Sequence, residues 1–166
     1  MTVEQKVTRK LSAILSADVK GYSLLMTNDE PFTIKTLKKY RNIMSEIIND
    51  HSGRVVDAPG DNILAEFSSA VNAVQCSVEI QNELKTRNAD LPFDKRLEFR
   101  IGVNIGDVVQ DGGSLYGEVL IASLSWLKFP DYFKQIKKLS IYFEQKAVVA
   151  LLPRMGFLRH GAGCLE

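Results

Sequence analysis

Cysteine and histidine are scarce in this sequence, with two of each among 166 residues. Cys76 and Cys164 are too few for a disulfide framework and fit a reducing compartment. His51 and His160 stand alone, so no His/Cys cluster with zinc-ligand spacing exists. Net charge is also low. Lys and Arg total 21 against 20 Asp and Glu, a formal +1, which gives no strong field to attract nucleic acid or an acidic membrane. Long hydrophobic runs are missing too. No stretch approaches the roughly 20 apolar residues needed to cross a bilayer, and residues 1–10 lack the apolar core of a signal peptide. These absences predict a cytoplasmic chain with no membrane span and no nucleic-acid partner. No internal repeat or low-complexity linker is present. Gly102 and Gly106 do not make a dinucleotide fingerprint, because the third glycine and the following helix are missing.

What is present suits one globular domain. Hydrophobic residues make up 45% of the chain and charged residues 25%, enough apolar material for a core. Residues 11–19 read as a buried strand broken by Gly21. Asn28, Asp29 and Pro31 signal a helix start. Leu37, Tyr40, Met44, Ile47 and Ile48 follow at helical spacing, and Gly53 sits where a helix stop belongs. Residues 54–58 and 63–67 are two short strands around the turn residues Pro59, Gly60, Asp61 and Asn62.

Ser68 or Ser69 can cap a second helix whose inner face is Ala73, Cys76, Ile80 and Leu84. Residues 88–95 read as a loop. Leu97, Phe99, Ile101 and Val103 then alternate with polar or small residues, the period of a strand with one buried face. Asp111, Gly112 and Gly113 turn the chain. Phe133, Ile136, Leu139, Phe143, Ala147 and Ala150 keep a helical period in the tail. The order of strands and helices suits an α+β fold of the ferredoxin-like βαββαβ type, with both helices on one face of an antiparallel sheet.

Two carboxylates stand out. Asp18 ends an apolar strand beside Gly21, and Asp61 lies in a tight hairpin turn. An Asp before a glycine serves as a turn former. If the two strands are neighbours, the same pair can converge on one hard cation. Mg²⁺ takes oxygen ligands and keeps one or two carboxylates beside substrate phosphates.

The blocks around these residues resemble the class III nucleotidyl cyclase catalytic domain. Residues 11–23, with Asp18, Val19, Gly21, Tyr22 and Ser23, are similar to its opening strand. Gly53 to Val56 and Gly60 to Phe67 are similar to its second metal-bearing hairpin. Phe99 to Val108 resemble its fourth strand, and Leu115, Tyr116 and Gly117 the start of the next segment. The resemblance covers residues 9–118, after an extension of residues 1–8 and before a divergent, partly helical tail of residues 119–166.

The resemblance implies conversion of ATP, less readily GTP, to a 3′,5′-cyclic monophosphate and pyrophosphate. It implies two Mg²⁺ or Mn²⁺ ions per site, held by Asp18, Asp61 and the Val19 carbonyl. It implies phosphate contacts from the backbone of Lys20, Gly21, Tyr22 and Ser23, and base contacts at Asp57 and Ser114. It implies a dimer with the site at the interface. The chain departs from the pattern in three places. Asp57 stands where the family has a base-reading Lys. Leu120 and Leu124, or Ile121 and Ser125 in the register without a gap, stand where it has a ribose-orienting Asn and a charge-stabilising Arg, so the catalytic donors are unassigned. The tail after Ser123 is unlike the family. The departures imply an alternative role, as a dimerising or regulatory homologue or the metal-donating half of a heterodimer.

Overall fold

The computed structural model describes residues 8–111, 114–116 and 147–149. The elements run β1 (Thr8–Val19), α1 (Tyr22–Asn28), α2 (Glu30–Asp50), β2 (Gly53–Asp57), β3 (Ile63–Phe67), α3 (Ala70–Ala89), a 3₁₀ turn (Phe93–Lys95), β4 (Phe99–Asp111), β5 (Ser114–Tyr116) and β6 (Ala147–Val149). The sheet order is β2-β3-β1-β4-β5, and each neighbouring pair is antiparallel. The first four strands in chain order thus make the split arrangement of the α+β βαββαβ fold, with β1 bonded on both sides.

The sequence period explains the layers. In β1, Ala13, Leu15, Ala17 and Val19 join α2, α3 and the odd positions of β4 in one core. The alternate residue Ile14 packs on the opposite face with Leu64, Val108 and Leu115. Successive strand side chains point to opposite faces, so a central strand covered on both sides reads as a continuous small and apolar run.

Helix α2 begins where the Asp29 carboxylate accepts a hydrogen bond from the Phe32 amide at 3.2 Å. It buries Leu37, Tyr40, Met44, Ile47 and Ile48. Helix α3 begins with the Ser69 hydroxyl accepting from the Asn72 amide at 3.3 Å and buries Ala73, Cys76, Ile80 and Leu84. Both caps satisfy amides that a helix leaves unpaired at its start. A buried hydrogen-bond set ties the two helices to the sheet. Asn88 takes the Tyr40 hydroxyl at 3.0 Å and both donates to and accepts from the backbone of Leu97.

Several expectations are corrected. The helix stop is not Gly53. His51 ends α2, Ser52 takes the left-handed conformation (φ 59°), and Gly53 opens β2. A glycine is needed there because a Cβ would collide with the Phe67 ring. The stretch after Gly21 is a short helix, α1, with no fully buried residue. The segment expected as a loop over residues 88–95 holds the end of α3 and the 3₁₀ turn. Strand β4 runs to Asp111, three residues past the Phe99 to Val108 segment that resembles the family's fourth strand. In the tail, Ala147 lies in β6, which pairs in parallel with β4 at Ile101, Gly102 and Val103. That pairing replaces the helical period expected there, and the other tail positions lie outside the described residues. No helix among the described residues is long and apolar enough to cross a membrane.

Candidate functional site

The end of β1 is where the carboxylates meet. Its register sets Ala17 against Ile63 of β3 and Asp18 against Arg100 of β4. The hairpin turn before Ile63 therefore comes alongside the last residues of β1. The Val19 amide donates to Asp61 Oδ2 at 3.3 Å. Asp61 thus rests against the peptide unit that Asp18 begins. Two residues 43 positions apart flank one bond because β3 was inserted beside β1.

Asp18 is buried, its side chain 11% exposed. Arg100 grips it with both arms of its guanidinium: Nε donates to Oδ1 at 2.9 Å and Nη2 to Oδ2 at 2.5 Å. A bidentate fork of this kind is among the stronger charge-assisted contacts. It also offsets the cost of taking a carboxylate out of water. Sequence reading missed Arg100, which is visible in the sequence only as one polar residue in an alternating strand.

The hairpin is held from behind. Arg41, on α2, donates through Nη2 to the carbonyl oxygens of Gly60 (2.5 Å) and Asn62 (2.6 Å). The two carbonyls bracket Asp61, so one side chain fixes the turn that carries it. Gly60 has φ +57°, a conformation that glycine adopts without steric cost. Arg41 too was invisible to sequence reading, because it sits on the polar side of an amphipathic helix.

Of the other expected positions, Lys20, Gly21, Tyr22 and Ser23 follow β1 directly. Gly21 is left-handed (φ 69°), and its carbonyl accepts from the amides of Leu24 and Leu25. Lys20 is anchored just before β4, through its amide to the Glu98 carbonyl at 2.8 Å and its Nζ to Glu98 Oε2 at 3.5 Å. Asp57 is exposed at the end of β2, beside a register shift. Its Oδ1 accepts from the next amide, Ala58, at 2.7 Å, a turn-forming contact. Ser114 pairs with Asp111 at the far end of β4. Roughly 35 Å of strand, at about 3.3 Å per residue, separates its register from that of Asp18. Leu120 and Leu124 lie outside the described residues.

The donor set at the end of β1 suits a hard divalent cation. Asp18 and Asp61 offer carboxylate oxygens, and Mg²⁺ takes one or two of these. No group of three or more His, Cys, Asp or Glu is gathered for a metal among the described residues, so a cation here would rest on two carboxylates and on oxygens from outside the chain. Both Asp18 oxygens are engaged by Arg100 in this structure, so a cation here would have to share or displace that partner.

A second polar cluster occupies the other end of β1. A cavity of about 250 Å³ is lined by Lys10, Ser12, Arg54, Glu66 and Ser68, among others. Glu66, buried on β3, accepts from Ser12 Oγ at 2.7 Å, Lys10 Nζ at 2.8 Å and Arg54 Nε at 2.8 Å. Burial alone would raise the Glu66 carboxyl. Hydrogen bonds from Lys10 and Ser12, then the charge of Lys10 and the bond from Arg54, outweigh it and hold the group below its usual 4.5. Cys76 is inert by contrast: burial, with the nearby Glu79 charge, pushes its thiol up to about 12, far from the thiolate that reacts.

No protein-family model matches the chain. Similar proteins are nonetheless found. The chain is 40% identical over 116 residues to a Rhizobium meliloti (strain 1021) protein named "Putative adenylate cyclase 3", an alignment that spans 69% of this chain and 20% of that one. The chain therefore spans about a fifth of that relative's length. A crystal structure described as an adenylate/guanylate cyclase/hydrolase from Silicibacter pomeroyi superposes with a TM-score of 0.69 at 35% identity, covering 74% of this chain and 72% of that one. The guanylyl cyclase Cya2 superposes with a TM-score of 0.64 at 25% identity, covering 73% of this chain and 71% of that one.

Proposed function

Because this chain belongs to the class III nucleotidyl cyclase family, we propose that the end of β1 is half of a cyclase centre that turns a nucleoside triphosphate into a 3′,5′-cyclic monophosphate and pyrophosphate. The observation that carries the reading is the pair of carboxylates on one peptide unit, Asp18 beginning it and Asp61 bonded to its amide at 3.3 Å. ATP is the preferred substrate, in keeping with the naming of the relative at 40% identity.

In the reaction the ribose 3′-oxygen forms a bond to the α-phosphorus. The bond from that phosphorus to the bridging oxygen breaks, pyrophosphate leaves with the electron pair, and the 3′-hydroxyl proton passes to solvent water. Two bound Mg²⁺ or Mn²⁺ ions would lower the charge on the attacking and leaving oxygens of this in-line displacement. Asp18, Asp61 and the Val19 carbonyl are the oxygens this chain offers to hold them. The left-handed Gly21 turns the backbone of Lys20 to Ser23 sharply off β1, beside the same carboxylates, where it would contact the phosphates. Arg41 keeps Asp61 in place through the carbonyls on either side of it.

One chain does not complete the centre. Ser114 belongs to the far end of β4, which supports a site shared between two chains. Asp57 is occupied with its own turn, so a purine would be read by other groups. Leu120 and Leu124, in place of a polar donor and a cation, favour a second reading in which this chain supplies the carboxylate half to an intact partner domain. Preorganised donors of the missing kind are worth about 100- to 1000-fold in rate.

The test is cyclic nucleotide formation by the purified chain with Mn²⁺ and ATP or GTP, beside Asp18→Ala, alone and mixed with an intact homologous domain. Product from the chain alone, lost in Asp18→Ala, supports a complete centre. Product above the partner's own rate only in the mixture supports the half-site. Metal-dependent nucleotide binding that survives Asp18→Ala refutes both.

A further inference from the structure

The bidentate grip of Arg100 on Asp18 leads beyond the assignment of the carboxylates. We propose that Arg100 is a positioning residue that competes with a divalent cation for the Asp18 carboxylate, so that cation binding drives its guanidinium off the strand. The inference rests on the reading of Asp18 as a metal ligand.

The geometry sets up the competition. Asp18 and Arg100 are direct cross-strand partners, and both carboxylate oxygens are engaged, at 2.9 and 2.5 Å. The Asp18 side chain is 11% exposed, so little water screens the pair. A cation bonded to either oxygen sits about 2.1 Å away. It would therefore lie within about 5 Å of the bonded guanidinium nitrogens. Two like charges that close, in a shielded site, repel strongly, and the divalent ion has the greater charge and the shorter contact.

The arginine has room to leave. Its side chain is 37% exposed, and its long apolar stem can pivot while the head moves into water. In the free chain Arg100 thus neutralises a buried carboxylate and keeps its rotamer ready. On cation entry it gives that carboxylate up. Metal affinity is then set partly by a residue that never touches the metal.

The test is Mn²⁺ binding to the full chain, followed by electron paramagnetic resonance, for wild type, Arg100→Gln, Arg100→Lys and Asp18→Asn. Arg100→Gln is expected to bind Mn²⁺ several-fold more tightly than wild type. Arg100→Lys keeps the charge but loses the fork and falls between them. A folded Arg100→Gln chain with unchanged or weaker affinity overturns the proposal. Wild type itself gives a second measurement, independent of how the variants fold. The Arg100 Nε–H resonance should lose its exchange protection as Mg²⁺ is added. Retained protection with Mg²⁺ bound would mean that Arg100 is a spectator charge. Asp18→Asn separates the two levels: if it binds Mn²⁺ like wild type, or if neither wild type nor Arg100→Gln binds, the metal site itself is wrong. If Asp18→Asn loses Mn²⁺ while Arg100→Gln matches wild type, only the competition fails.

Discussion

The two ends of β1 each carry a buried carboxylate facing basic side chains, yet the two are partnered differently. At one end Glu66 is closed. One hydroxyl and two cations converge on it, and the local balance of one acid to two bases leaves it nothing to attract. At the other end Asp18 has Arg100, and Asp61 adds a second acid across a single peptide unit. There only one of the two acids is in the fork. Under the proposed function that second pair would take up a cation, whereas Glu66 serves the fold. Burial does not separate the two cases, since Glu66 and Asp18 are almost equally hidden, at 5% and 8% exposed.

The contrast can be broken most severely at Asp61. Asp61→Ala removes a carboxylate oxygen and should lower Mn²⁺ affinity by more than the roughly 10- to 100-fold that outer-shell changes cost. Calorimetric titration checks this, and stability should barely change, because the residue sits in a surface turn. The mirror-image experiment is Glu66→Gln. Lys10 and Arg54 are partly exposed and can rehydrate, so the loss falls below that of a fully buried pair, at about 2 kcal/mol. It would be read by urea unfolding, with Mn²⁺ affinity unchanged.

The same variant carries a pH signature. The Glu66 carboxyl is lowered in the folded chain from 4.5. Its contribution is therefore complete above that value and disappears as pH falls through the depressed folded value. Below pH 4.5 the wild-type stability should drop more steeply than that of Glu66→Gln. A parallel decline in the two would disprove the role given to Glu66.

Arg41→Ala sharpens the contrast by loosening the turn without touching a carboxylate. Metal affinity should fall about tenfold, as for an outer-shell partner, while the melting temperature moves little. Last in size, Ser69→Ala should cost about 1 kcal/mol through the lost cap of α3, with no effect on cation binding. Thermal unfolding beside the same titration would check it.

Legibility in the sequence followed the range of the interactions. The hairpin that bears Asp61 was readable, because Pro59, Gly60 and Asn62 act on their own backbone. The helices α2 and α3 were readable from caps and period. Strand β1 was readable because both of its faces are small or apolar. Short α1 was not, since it buries no residue and so carries no pattern. Nor was the length of β4. Beyond Val103 the odd positions Ile105 and Asp107 are exposed while Val108 packs on the opposite face, so the alternation that marked the strand stops identifying it. Ser52 took the left-handed place expected of Gly53, because the Phe67 ring, 14 residues on, claimed the glycine for lack of a side chain. Arg100 and Arg41 were out of reach for the same reason: their partners lie 82 and about 20 residues away. Residues 147–149 show the limit of periodicity over short stretches, since three residues fit a helical period and a strand equally well.

The central place of β1 has a kinetic meaning. Bonded to β3 on one side and β4 on the other, its inner amides can exchange with solvent only when the sheet itself comes apart, on the slowest timescale the domain has. Asp61 rides on a surface turn held by Arg41, by the Asn62 amide on the Pro59 carbonyl and by its own contact with the Val19 amide, and such a turn opens more often than a central strand. The two carboxylates therefore have unequal lifetimes in place: Asp18 is present as long as the fold is, while Asp61 comes and goes with its turn. The proposed cation-binding arrangement would last only as long as the shorter of the two.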